Sequence, residues 1–224
     1  MIRTDLFTAI HKAIRAQLFD AALRMQNLDI HNDEDVVLFI GTIRDRLAFL
    51  HEHADKEDTY VFPSVAEFDR ELVNAVEREH DQLHLLTSQV EEALDQFASA
   101  PKEDRHEALS VVRRTFHQLV AGHLSHMNHE EEQILPATWR YLTEEQLQTI
   151  LMNIQKNIPA DRYTEWMYWM LPALQPQELA GMLRGMAASA PKEMVDLVLR
   201  VAERSVDEHR LARVLDLAGL KTAA

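Results

Sequence analysis

His53-Ala54-Asp55-Lys56-Glu57 is followed, six residues after its glutamate, by Pro63; His126-Met127-Asn128-His129-Glu130 is followed at the same interval by Pro136. The flanks repeat with the element: Phe39, Ile43, Val61 and Phe62 align with Val112, Phe116, Ile134 and Leu135. An interval of four sets His and Glu about 40° apart around a helix and one turn displaced, so both side chains reach a common point. In the second copy Val112, Phe116, Leu119 and Ile134 fall within about 80° of His126, which turns the pair toward a buried interior. Burying an ionised carboxylate without a partner is costly, and a cation between two opposed elements removes that cost. A single inward histidine is usually a hydrogen-bonded core residue, and a single His–Glu pair is commonly a surface contact. Two copies with matched apolar flanks point to metal instead.

Working outward, apolar periodicity predicts four long helices. The first runs from about Thr4 to Asn27 on Phe7, Ile10, Ile14 and Leu18, with His11 inside that stripe. The second starts near Asn32 or Asp33 and reaches Pro63. The third, about Ala66 to Ala98, uses Leu72, Val76, Leu83, Val90 and Leu94; His80 is central on it and His84 nearer its edge. The fourth begins at Pro101, in its first turn, and runs to Pro136. Short connections between them predict an all-α, antiparallel four-helix bundle to which every helix brings an inward imidazole.

Composition agrees. The 224 residues are 46% apolar, with no Cys, 5 Gly and 7 Pro, so helices dominate and any metal rests on nitrogen and oxygen ligands. A net charge of −14 argues against nucleic acid or an anionic membrane as partner. The start, Met1-Ile2-Arg3-Thr4-Asp5, lacks an export pattern and no apolar stretch is long enough to span a bilayer, so a cytoplasmic protein is expected.

Charge and histidine divide the chain. Residues 1–140 carry a net −12 and eleven of the twelve His; residues 141–224 carry only −2. The expectation is a metal-binding bundle over 1–140 and a helical extension over 141–224. Thr143 and Gln146 form a capping box, and Pro159, Pro172, Pro176 and Pro191 divide the rest into three or four shorter helices. Trp166-Met167-Tyr168-Trp169-Met170 reads as core or self-association, making these helices the expected site of a homo-oligomer or protein contact.

Of the remaining histidines, His31 lies in a connection, His51 faces away from His53, and His106, His117, His129 and His209 are expected in solvent. His123 occupies the centre of the fourth helix's inner stripe, where the first copy has Leu50. A role behind the ligands or in a pocket beside them suits it, with direct ligation as the alternative. Tyr60, close to the ligand faces, joins His123 as a candidate for controlling what enters.

The early His, the HxxxE of the second helix, the HxxxH of the third and the HxxxE of the fourth resemble the hemerythrin-like, or HHE cation-binding, family over about residues 5–140. By that resemblance His11, His53, His80, His84 and His126 are terminal ligands of two iron ions. Glu57 and Glu130 then bridge the irons together with an oxo or hydroxo group. One position stays open to O2, peroxide or nitric oxide. Two departures stand out. Oxygen carriers place a carboxylate five residues after the last His; here that is Glu131, about 140° away on the helix, so Glu130 is preferred. The separations of 42 residues from His11 to His53 and 46 from His80 to His126 are closer to the hemerythrin-like domains of iron-responsive proteins. The implied function is binding of, or response to, O2, redox state or iron. The alternatives are a peroxidase-like, catalase-like or nitric-oxide-linked enzyme, and a structural zinc or manganese scaffold, since nitrogen and oxygen donors do not select iron uniquely.

Overall fold

A computed structural model describes residues 3–220, and among them every regular element is helical. None of these helices is long and apolar enough to cross a membrane. The architecture is the predicted one, a hemerythrin-like helical bundle followed by further C-terminal helices. The chain divides into two compact units: one takes the described residues up to Phe7 with Gln17–Ile154, the other Thr8–Ala16 with the described residues from Gln155 onward.

The first element, α1 (Thr8–Gln26), contributes to both units. It starts later than the sequence suggests because Thr4 is held elsewhere: its backbone N–H and its hydroxyl both bond the Glu144 carboxylate, and its carbonyl accepts from Trp139 Nε1 at 2.9 Å. In α2 (Asp33–Lys56), Asn32 is the cap, its side chain accepting from Glu34 N–H at 3.0 Å ahead of three acidic residues in the first turn. A π-helical turn (Glu57–Val61) and α3 (Phe62–Ala66) continue that helix. Ala66 ends this helix instead of opening the next one. After a short break Asp69 caps α4 (Arg70–Ser99) through Leu72 N–H at 3.0 Å.

Pro101 likewise precedes its helix: Asp104 N–H returns to the Pro101 carbonyl in a turn, and α5 (Arg105–His129) follows. A second π-helical turn (Glu130–Ile134) and α6 (Leu135–Tyr141) extend α5. The capping box opens α7 (Glu144–Lys156), with Thr143 N–H on Gln146 Oε1 at 2.7 Å and Gln146 N–H on Thr143 Oγ1 at 3.2 Å.

Both π-helical turns begin at a glutamate of the repeated element and end two residues before its proline. Phe62 N–H bonds the Glu57 carbonyl and Leu135 N–H bonds the Glu130 carbonyl, five residues back. The next residue in each case has no N–H, and its ring crowds the carbonyl four positions earlier, so the turn widens by one residue. The repeat is therefore one of backbone as well as side chains.

The second unit holds α8 (Ala160–Ala173), α9 (Pro176–Ser189), α10 (Lys192–Ser205) and α11 (Glu208–Ala218), with α8 against α10 and α9 against α11. Pro159 and Pro191 stand at helix starts, and Pro176 occupies a first turn. Pro172 sits in the last turn of α8 without splitting it. Because Asp207 opens α11 with no proline, accepting from Arg210 N–H at 3.1 Å, five helices follow Leu142 among the described residues, more than expected. Trp166, Met167 and Met170 are core, whereas Tyr168 is exposed.

Candidate metal centre

Along the bundle helices, polar residues form one layer between two apolar ones. In α2 and its extension, buried Phe39, Ile43 and Leu47 precede His53 and Glu57, and Val61, Phe62 and Val65 follow them. In α5, Val112, Phe116 and Leu119 precede His123, His126 and Glu130, and Ile134 and Leu135 follow. Running the other way, α4 offers Val73 and Val76, then His80, then Leu83, Val90, Leu94 and Phe97. Phe39 meets Phe97 edge to face at 6.3 Å between ring centroids, and Val61, Val73, Val76 and Ile134 share the opposite cluster. That register sets His53, His80 and His126 at one level.

In this layer His53, Glu57, His80, His126 and Glu130 are all at most 5% exposed. One ligand atom from each of Glu57, His80, His126 and Glu130 lies within 4.8 Å of the others. His53 Nε2 is 3.1 Å from Glu57 Oε1, His80 Nε2 is 3.5 Å from Glu57 Oε2, and His126 Nε2 is 3.3 Å from Glu130 Oε2. The Nε2 atoms of His80 and His126 face each other at 2.9 Å.

Two further carboxylates hold the rings from behind. His80 Nδ1–H donates to Asp58 Oδ1 at 3.0 Å, and His126 Nδ1–H donates to Glu79 Oε2 at 2.8 Å. Such bonds fix the tautomer that aims the Nε2 lone pair inward and make it a better donor to a metal. Two lone pairs converging with two carboxylates in a buried layer call for positive charge between them. The donor set therefore fits a transition-metal ion. The electrostatics agree. Burial opposes charging of His80, yet its bonds to Asp58 and Glu57 push its pKa up to about 10. The pKa of His126 is raised against the same burial, chiefly by Glu130.

Asp58 and Glu79 were not singled out from the sequence. Each acts on a ring carried by a different helix, so no spacing within one helix reveals it. Glu79 also accepts from His129 Nδ1 at 2.8 Å through its other oxygen. His129 is thus half-buried and hydrogen-bonded, where solvent was expected, because Glu79 reaches across from α4.

The remaining predicted residues fall in different places. His11 is fully buried on the part of α1 counted with the second unit. His84 is exposed, its ring 5.5 Å from that of His51 and 6.4 Å from that of His80 between centroids, and it belongs to neither buried His/Glu group. Being one turn beyond His80 carries it off the inner face of α4. Tyr60 is half-buried against the apolar cluster of Val61 and Phe62. A cavity of about 250 Å³ reaches the layer, with His51 and His84 among its lining residues, along with Leu50, Leu83, His53, His80, His123 and His126. His123 is buried, and that burial, reinforced by His126, His53 and His80, pushes its pKa down to about 3 and keeps the ring neutral.

Residues 3–142 match the hemerythrin HHE cation binding domain. This is more than half of the 224 residues, so the chain belongs to the hemerythrin HHE cation-binding family. Family and buried His/Glu cluster together mark it as a metal-binding helical protein. No curated protein and no solved structure gives a significant match.

Proposed function

We propose that this chain is a non-haem di-iron protein that binds or responds to O2 or a comparably small ligand, such as peroxide or nitric oxide. In this reading Glu57, His80, His126 and Glu130 hold one ion, the two glutamates are shared with a second ion bound by His53, and the family resemblance in the sequence adds His11 to that second set. His84 stands outside this set, at the cavity. The observation that carries the reading is the convergence of His80 Nε2, His126 Nε2 and two buried carboxylates beside that cavity.

When bound, an iron pair supplies two electrons and an open coordination position. The chain does the rest. Asp58 and Glu79 hold two imidazoles in the ligating tautomer. Leu50 and Leu83 give the cavity an apolar wall beside the imidazoles of His53, His80 and His126. A set rich in imidazole donates less negative charge than the carboxylate-rich centres of ferritin-like bundles, which favours reversible binding or sensing over oxidation of strong C–H bonds.

Metal analysis of the purified chain, with an optical spectrum after aerobic iron loading, tests the proposal. About two irons per chain and near-ultraviolet absorption from a bridged ferric pair are expected. One ion per chain, or retained zinc with a featureless spectrum, would refute it.

A further inference from the structure

The cavity holds one buried group that the His/Glu layer does not use. His123 lies one turn before His126 on α5, 6% exposed, and its Nε2 has no hydrogen-bond partner among the described residues. Buried polar atoms are nearly always paired, so such a nitrogen needs an explanation. Packing alone does not provide one, because the first copy of the repeat fills the equivalent position with Leu50, and Leu50 and His123 line the same cavity. An aliphatic side chain thus serves one copy, while the other brings an imidazole to the cavity shared with His53, His80 and His126.

We propose that His123 is a positioning residue for the exogenous ligand, its Nε2–H donating a hydrogen bond to a small anion of two or three heavy atoms held beside His53, His80 and His126. This rests on the di-iron reading above. A neutral imidazole suits the task, since it donates without adding a positive charge that would compete with the metal. The cavity takes such an anion together with several waters, so selection comes from the donor more than from a tight fit. A hydrogen bond to a charged acceptor is among the stronger ones, so its loss shows as weaker binding.

The test uses full-length, iron-loaded protein with azide as probe. Wild type, H123L, H123M and H123Q are titrated while the azide-dependent absorption is followed, and iron per chain is measured on the same samples. Iron content is expected to stay unchanged in all three variants. The azide Kd is expected to rise at least about tenfold in H123L and H123M and to recover in large part in H123Q, whose amide retains an N–H donor. Using two apolar variants keeps the misfolding of one from deciding the outcome. Loss of iron in correctly folded H123L or H123M would make His123 a ligand and overturn the proposal, as would an unchanged Kd with iron retained. Iron-loaded wild type that binds no azide also overturns it. Wild type that takes up no iron fails at the earlier step and removes the di-iron reading itself.

Discussion

His80 and His126 point their Nε2 atoms at each other across 2.9 Å, while Asp58 and Glu79 occupy the opposite nitrogen of each ring. Two lone pairs rest at that distance only around a shared cation, so without a metal ion one ring holds an additional proton. His80 is suited to it: burial opposes the charge, but Asp58 and Glu57 outweigh burial and set its pKa at about 10. The protonated ring therefore stabilises the metal-free fold fully below the unfolded pKa of about 6.5, and that contribution is lost as pH rises through about 10.

Metal affinity must move the other way, because the ion displaces this proton. Apparent affinity is expected to climb with pH by up to about tenfold per unit between roughly pH 6.5 and 9, with protons released on loading. Calorimetry in two buffers of different ionisation enthalpy counts those protons. Loading without proton release would contradict the arrangement.

Glu79 anchors His126 through one oxygen and His129 through the other, both at 2.8 Å. Glu79→Ala frees the His126 ring to rotate and weakens its Nε2 as a donor. A loss of about 10- to 100-fold in metal affinity is expected with helix content unchanged, measured by competition with a chelator. His129→Ala is expected to cost much less, because that ring is half exposed and stands behind the centre.

How far the sequence carries the site depends on where each partner sits. His53, Glu57, His126 and Glu130 were legible because both members of a pair lie on one helix, and Pro63 and Pro136 marked the place where each helix widens. Asp58 and Glu79 were not legible, because pairing them with His80 and His126 requires the register between helices. His84 shows the same limit from the other side. Its four-residue spacing from His80 suggested a shared face, but the bundle presents only the His80 side of α4 to the interior. Helix starts failed where a long-range contact overrode propensity, as when the Glu144 carboxylate takes up Thr4 N–H.

Gly122 lets α4 and α5 approach closely beside the cavity. A Cβ there would stand 2.9 Å from Leu83 Cδ2 and 3.4 Å from Leu86 Cδ1. Alanine gains up to about 1 kcal/mol of helix propensity, and the methyl it meets ends a flexible side chain, so Gly122→Ala is expected within about 1 kcal/mol of wild type. Valine cannot be accommodated so easily. Gly122→Val is expected to cost about 1–3 kcal/mol and to push Leu83 toward the cavity it lines, slowing ligand entry. Urea unfolding reads the first effect and stopped-flow azide binding the second. Equal stability of the two variants would mean that α4 and α5 separate at little cost.

Arg210, in the first turn of α11, donates to the carbonyls of Pro172, at 2.7 Å, and Leu174, where α8 ends. A helix end leaves such carbonyls without partners in its own ladder, and a cation there also meets the negative end of the helix dipole. Arg210→Met keeps most of the stem's packing and removes both donors; an expected loss of about 1.5–3 kcal/mol should appear in urea unfolding of the second unit. Arg210→Lys should recover only part, since one ammonium does not reproduce the two-pronged geometry. The exposed Lys12–Glu178 pair, 2.6 Å apart in the same unit, supplies the contrast, and Lys12→Met is expected to cost less than about 1 kcal/mol. An Arg210→Met chain as stable as wild type would mean that water satisfies the two carbonyls as well as the guanidinium does.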